Sequence, residues 1–469
     1  MSGQLTAAAL GRRMDAARWQ PLHTTILLAL GAGWLFDSFE VQLFSSAIGP
    51  MGDHFHASVF QRDAVLAVWL GGILVGAVAG GQLADRFGRR RLFVVTLLWY
   101  AGFTALTGLS PDLGTVYLLR FLAALGVGAE YAIINAAIAE FMPARVRGRV
   151  NALVMNFWPA GAIGAGMLAY LALDTIGLAA AVSWRYLFVL GGLAALVVLF
   201  FRRRIPESPR WLATQGRWEE AQQVLERLEG RAGGNDALAP AGRQPARVRG
   251  LPALLELVRH YPGRLALGTL LDLAEAFGYY GIFALLSVVV LPQVQVSQNG
   301  IPLFYVIGNL GALAGGLLMT ALFDRVGHRR TVVGSYLLAA AGVGALAWAT
   351  STGSSRWVTA AFVLASAFAT AAWTSAYPTF TELFPTHLRG VGVGSSVAIG
   401  RIGAIVGTLA LPSMATVLGP ASSYLLVGSF WLIGAAAMAI YSRNAGQDAA
   451  GLSLETIAPS RAKPAAAAG

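Results

Sequence analysis

The chain has 469 residues, of which 56% are hydrophobic and 12% charged, with mean hydropathy +0.62. Soluble domains carry about 25% charged residues, so this composition excludes an ordinary soluble enzyme and a disordered chain. The 56 glycines show no period, which excludes a collagen-like one, and the net charge of +11 in so apolar a chain is first a matter of membrane topology rather than nucleic-acid binding.

Taken in order, twelve apolar runs appear, at about 22–49, 64–84, 92–109, 115–141, 150–173 and 185–201, then 264–291, 301–323, 331–350, 357–384, 391–416 and 421–441. Each is long enough to cross a bilayer as a helix, and the continuous runs do not read as the short alternating strands of a barrel. The expectation is an all-α transmembrane chain. It divides into six spans at 1–201, a linker at 202–263, six spans at 264–442 and a tail at 443–469. The positive-inside rule puts the polar N-terminal stretch, the linker, the tail and the arginine clusters on the cytoplasmic side; only Arg62, Arg120, Arg185, Arg356 and Arg401 fall elsewhere. No small-residue cleavage site follows the first run, so no removable signal is expected. In the linker, Trp218, Ala221, Leu225 and Leu228 predict an amphipathic helix over 217–231, a second short helix is expected near 251–261, and 232–249 reads as a loose connection.

The halves repeat. Asp85-Arg86-Phe87-Gly88-Arg89 between runs 2 and 3 returns as Asp324-Arg325-Val326-Gly327-His328-Arg329 between runs 8 and 9. Glu140, Pro143, Arg147 and Gly148 after run 4 return as Glu382, Pro385, Arg389 and Gly390 after run 10. Positive-inside charge accounts for the arginines but not for the acids, glycines and prolines. Glycine permits a tight turn and the acids accept hydrogen bonds, so these residues are expected to form a gate on the inner face.

Few charges fall inside the runs. Asp37 and Glu40 lie on one side of the first, Arg120 and Glu130 in the fourth, and Arg401 in the eleventh. Each costs at least ~2.5–3.5 kcal/mol at the bilayer centre, which marks functional candidates. Two adjacent carboxylates in a poorly hydrated cavity suit proton binding; the alternative is a structural ion pair with Arg120. Glu130 reads equally as a proton site or a hydrogen-bonding group. Arg401 offers a fork for a substrate carboxylate, or reaches back to the inner interface. Asp272 and Glu275 read as solvated near the start of run 7. Trp158, Tyr279, Tyr280, Trp373 and Tyr377 are either packing residues or a stacking wall for a planar ligand, with Asn156 placed beside them. Pro159, Pro378 and Pro412 are candidates for bends.

The sequence carries no cysteine, phosphate loop or Ser-His-Asp set, and its six histidines stand at loops or run ends, so neither catalysis nor a metal nor a cofactor is expected.

GGQLADRFGRRRLF at 80–93 resembles the loop signature of the major facilitator superfamily. RFLAALGVGAEYAIINAAIAEFMPARVRG at 120–148 and PESPRWL at 206–212 resemble its sugar-porter and organic-ion branch. GWLFDSFEVQLFS at 33–45, FGYYGIF at 277–283 and GRIGAIVG at 400–407 are most similar to bacterial nicotinate transporters, relatives of aromatic-acid/proton symporters. The resemblance implies a twelve-helix fold in two six-helix bundles, a bacterial inner membrane and a monomer. It implies proton-coupled symport of a small aromatic or nicotinate-like monocarboxylate by alternating access, with Arg120 pairing a span 1 acid. A sugar/proton symporter is the first alternative, since PESPRWL and Arg120 fit it; a drug exporter fits less well because NFWPAGAIGAG lacks the antiporter pattern. Its partners are then protons, an organic anion and lipid, with no nucleic acid.

Overall fold

The computed structural model describes residues 7–171, 180–230, 251–296, 300–384 and 388–444, and among them every regular element is a helix. Thirteen of these helices make up twelve spans that correspond to the predicted runs. In the first half they are span 1 (Pro21–His54), span 2 (Val59–Phe87), span 3 (Arg89–Thr107), span 4 (Leu113–Phe141), span 5 (Ala144–Met155 and Phe157–Tyr170) and span 6 (Ala180–Arg202). In the second half they are span 7 (Pro262–Leu285), span 8 (Ile301–Val326), span 9 (His328–Ser351), span 10 (Ser355–Leu383), span 11 (Arg389–Leu418) and span 12 (Pro420–Asn444). Ten helices satisfy length and apolarity for crossing a membrane unaided; spans 3 and 7 do not. Span 3 opens on three arginines, and span 7 carries Arg264, Asp272 and Glu275.

The packing repeats as the sequence does. Span 2 lies on span 4, span 1 on spans 5 and 6, and span 3 on spans 4 and 6. Span 8 lies on span 10, span 7 on spans 11 and 12, and span 9 on spans 10 and 12. The halves meet where span 2 touches span 11 and span 8 touches span 5, a pairing that a pseudo-two-fold axis exchanges. Small residues allow the closest approaches: Gly76 and Gly128 set the backbones of spans 2 and 4 against each other, and Gly311 and Gly315 do so for spans 8 and 10. Leucines and valines such as Leu118, Val197, Leu318 and Leu425 point outward, as an apolar solvent requires.

Two spans depart from continuous helix. Span 5 turns at Asn156, because Pro159 has no N–H for the Met155 carbonyl. Span 7 passes into a wide π turn at Leu286–Val290 before Leu291–Gln293. Pro378 and Pro412, expected as bends, lie inside unbroken helices.

The loop-signature face carries short helices. The predicted amphipathic helix is Trp218–Glu229, burying Ala221, Val224, Leu225 and Leu228. Pro209–Thr214 and Leu251–His260 flank it; the 232–249 connection and the tail beyond residue 444 lie outside the described residues. The N-terminal stretch, expected as a polar tail, forms a helix at Ala7–Ala16. Arg13 donates to Glu229 at 2.8 and 2.5 Å, and Asp15 accepts from Arg147 at 2.5 Å.

Candidate transport site and gate

Span 1 supplies two carboxylates to the interior of the first half. Glu40 Oε1 accepts from Arg120 at 2.5 Å and from the Thr104 hydroxyl at 2.6 Å. The Arg120 guanidinium sits over Phe44, Phe188 and Trp69, with ring centroids at 4.9, 5.4 and 5.9 Å. A buried ion pair is tolerated only when its remaining polarity is met, and three aromatic faces meet part of it.

A second buried pair lies nearby. Arg202, at the end of span 6, pairs with Glu130 and donates to the Phe93 carbonyl at 2.7 Å. The sequence places Arg202 on the solvated linker; it is instead 1% exposed. Glu130 is therefore the anion of a pair rather than a free group. Gly33 makes room for that pair, since a Cβ there would collide with both Glu130 Oε1 and Arg202. Asp37 stands one helical turn further along span 1, fully buried, with neither carboxylate oxygen hydrogen-bonded. Its electrostatic neighbours are Arg202, Glu40 and Tyr100.

Between the halves the aromatic residues gather. Trp34 of span 1 stacks on Tyr131 of span 4 at 4.7 Å and meets Trp158 edge-on at 5.5 Å. Trp373 lies 5.3 Å from Trp158 and 5.2 Å from Tyr279, and Trp158 Nε1 donates to the Tyr279 hydroxyl at 3.2 Å. Arg401 enters this group from span 11. Its guanidinium lies 5.6 Å from the Tyr131 ring and 5.8 Å from Tyr280, and donates to the Tyr377 hydroxyl at 3.4 Å. The structure thus brings Trp158, Tyr279, Tyr280, Trp373, Tyr377 and Arg401 together. It adds Trp34 and Tyr131, whose places one turn from Asp37 and beside Glu130 are the signal the sequence offers. The Asn156 amide donates to the Ala152 carbonyl at 2.8 Å and across the halves to Thr320 at 2.9 Å.

Asp272 and Glu275 correct the expectation of a solvated position. They are 1% and 4% exposed, and Arg401 is in electrostatic reach of both.

At the loop-signature face, Gly88 and Gly327 both adopt φ of 90°, the turn that the repeated glycines are expected to allow. Arg89 donates to Glu140 at 2.8 Å and to the Ala84 carbonyl at 3.0 Å. Glu207 of the PESPR stretch accepts from the Arg89 backbone N–H at 2.9 Å, capping span 3 with an anion. Burial pushes the Glu207 carboxyl up, against the pull of those backbone donors. Arg147 pairs with Asp15, and Arg86 and Arg325 are exposed. Arg329 donates to the Ser442 carbonyl at 3.0 Å. The side chains of Asp85, Asp324, Glu382 and Arg389 lie outside the described residues.

Comparison with known proteins agrees with this architecture. The Major Facilitator Superfamily description matches residues 30–408 and again 265–462. The niacin transporter NiaP of Acinetobacter baylyi is 28% identical over 443 residues, covering 93% of this chain and 96% of that protein. Solute carrier family 22 member 7 of Bos taurus is 31% identical over 395 residues, covering 81% of this chain and 67% of that one. Among solved structures, the proton:xylose symporter XylE bound to 6-bromo-6-deoxy-D-glucose has a TM-score of 0.75 at 19% identity, over 92% of this chain and 98% of that one. The inward-open XylE of Escherichia coli has a TM-score of 0.68 at 20% identity, over 93% of this chain and 99% of that one. With its duplicated six-helix halves and a family match running through nearly the whole sequence, the chain belongs to the major facilitator superfamily and is a transporter, not an enzyme.

Proposed function

We propose that this protein carries a small aromatic or nicotinate-like monocarboxylate together with protons across the bacterial inner membrane. The observation that carries the reading is Arg401, a buried guanidinium set against the Tyr131 and Tyr280 rings beside a group of tryptophans. A planar acid meets two requirements there: its ring stacks on aromatic faces and its carboxylate takes the guanidinium fork. Relatives named as niacin transporters support the choice of acid.

The Glu40–Arg120 pair and the free carboxylate of Asp37 are the proton-coupling groups in this reading, with Glu130 held by Arg202. The halves, residues 1–201 and 264–442, rock about the central site. Arg89, Glu140 and Arg147 hold the loop-signature face closed when the site opens to the other side. The linker at 202–263 and both termini face the cytoplasm, and the carrier works as a monomer.

The sugar/proton symporter remains the second reading, favoured by the likeness of fold to XylE. It gives the guanidinium fork of Arg401 no substrate group to hold, because a neutral sugar offers no carboxylate.

The test is uptake of labelled acids into proteoliposomes under an imposed pH gradient. The panel is nicotinate, benzoate, their amides and xylose. Accumulation of an acid, abolished by collapsing the gradient, is the expected result. Accumulation of xylose and of no acid overturns the reading in favour of the sugar.

A further inference from the structure

Among the described residues, the buried carboxylates are Asp37, Glu40, Glu130, Asp272 and Glu275, and the buried arginines are Arg89, Arg120, Arg147, Arg202 and Arg401. Arg89 and Arg147 are engaged at the loop-signature face by Glu140 and Asp15. Arg120 and Arg202 belong to Glu40 and Glu130. Among the described residues, the interior of the second half is left with two carboxylates and one arginine.

Their placement is close. Asp272 and Glu275 lie three residues apart on one side of span 7. Asp272 Oδ2 occupies the space that a side chain at Gly400 would fill, so the missing Cβ brings this carboxylate against the backbone beside Arg401. Asp272 Oδ2 and Glu275 Oε2 are buried without a hydrogen-bond partner. The other titratable groups facing them are phenols: Tyr280 of span 7, Tyr377 of span 10 and Tyr336 of span 9, whose hydroxyl donates to the Leu271 carbonyl at 3.1 Å. Span 12 contributes Trp431, packed at Gly278, and on Leu251–His260 the side chains of Arg259 and His260 are exposed at the surface.

A guanidinium with two carboxylates in electrostatic reach is a poor receptor for another anion. With both acids ionised, the site already carries one negative charge in excess, and a bound carboxylate adds a second. Leaving such a charge buried and unpaired costs several kcal/mol. A proton on the acid pair keeps the excess at one negative charge when the carboxylate arrives at Arg401. We propose that Asp272 and Glu275 form a second proton site, separate from the span 1 acids, and that a substrate carboxylate engages Arg401 only as this pair takes up a proton. The inference rests on the organic-acid reading above. One anion and one proton enter together, the only bond made is a carboxyl O–H, and the same proton leaves when the anion leaves Arg401. Coupling in this half is charge balance around one guanidinium.

The experiment is calorimetric binding of nicotinate to the purified full-length protein at pH 7, in two buffers of different ionisation enthalpy. The difference between buffers counts protons taken up on binding. About one proton per nicotinate is expected, and Kd should weaken about tenfold per pH unit, the slope of one linked proton. Nicotinamide, if it binds, should take up none. Asp272→Asn should bind nicotinate without proton uptake and with a nearly flat pH dependence; Glu275→Gln provides the second variant if the first does not fold. Nicotinate binding with no proton uptake in the wild type overturns the proposal while leaving the acid reading standing, as does uptake that persists in both variants. Failure of nicotinate and benzoate to bind at all overturns the acid reading, and this proposal falls with it.

Discussion

Replacing Gly33 by alanine is a one-methyl test of the first-half charge network. At an unconstrained helical position the change is stabilising by about 0.5–1 kcal/mol, because glycine loses more backbone entropy on folding. At Gly33 the new methyl would collide with Glu130 Oε1 and the Arg202 guanidinium, both buried. Either the pair separates or span 1 shifts. Breaking a buried ion pair costs about 3–5 kcal/mol. The loss exceeds the entropic gain, so Gly33→Ala should be destabilised by roughly 2–4 kcal/mol net. Gly102 is the control: it sits at an exposed place on span 3, and a methyl group added there would meet nothing within 4 Å. Gly102→Ala should be neutral or slightly stabilising. Denaturation midpoints of the two variants in the same detergent, read beside the wild type, make the comparison. A Gly33→Ala protein as stable as Gly102→Ala would refute the reasoning, because Arg202 and Glu130 would then not depend on the notch in span 1.

Other perturbations separate the roles assigned above. Arg401→Lys should weaken binding of an acid more than of its amide and Arg401→Ala more still, measured by equilibrium binding, since lysine keeps the charge and loses the fork; equal losses for acid and amide would make Arg401 structural. Glu40→Gln should lose uphill accumulation yet keep counterflow, measured side by side in proteoliposomes, because exchange needs no net proton release. Burial raises the Glu207 carboxyl above its unfolded value, so its stabilising contribution is full at pH below the ordinary carboxylate range and is lost as pH rises through the raised value. Glu207→Gln should flatten that part of the stability–pH curve, followed by thermal denaturation at a series of pH values.

Much of this is legible in the sequence, for a physical reason: lipid admits few charges and obliges helices, so each run and each exception stands out. The repeat is readable from Gly88 and Gly327, and Glu40 with Arg120 is readable as an ion pair. Arg202 is not, because it opens a run of three arginines at a helix end and so reads as inner-face charge; Arg203 and Arg204 are exposed while Arg202 turns back to Phe93 and Glu130. Asp272 and Glu275 are misplaced by the sequence because acids in the first half of a run read as solvated, whereas they stand about three turns inside the helix that opens at Pro262, where Gly400 lets span 11 close over Asp272. Ala7–Ala16 escapes notice because a ten-residue helix held by Asp15 and Arg13 against distant partners has no local signature. Trp34 and Tyr131 look like any core aromatic until the second half closes on them.

Asn156 shows how a single polar contact bears on the relation between the halves. Span 5 turns at this residue because of Pro159, and the turn carries the Asn156 amide to Thr320 of span 8, with Gly316 leaving room for its carbonyl oxygen. The hydrogen bond is buried, so replacing Thr320 by valine costs the bond and leaves one of the two Asn156 amide N–H groups without its acceptor, the other staying on the Ala152 carbonyl. A buried donor left short of a partner costs about 1–3 kcal/mol, and each 1.4 kcal/mol is about a factor of ten in an equilibrium between two conformations. The fold of each half should survive, since Thr320 lies at the seam between spans 5 and 8 rather than inside either bundle. Thr320→Val should therefore shift the population away from the conformation in which these spans touch, by roughly fivefold or more. The native chain has no cysteine, so a pair of introduced cysteines across spans 5 and 8 reports the contact directly by crosslinking yield. An unchanged yield together with an unchanged transport rate would show that the Asn156–Thr320 bond carries none of the energy that holds the halves in this arrangement.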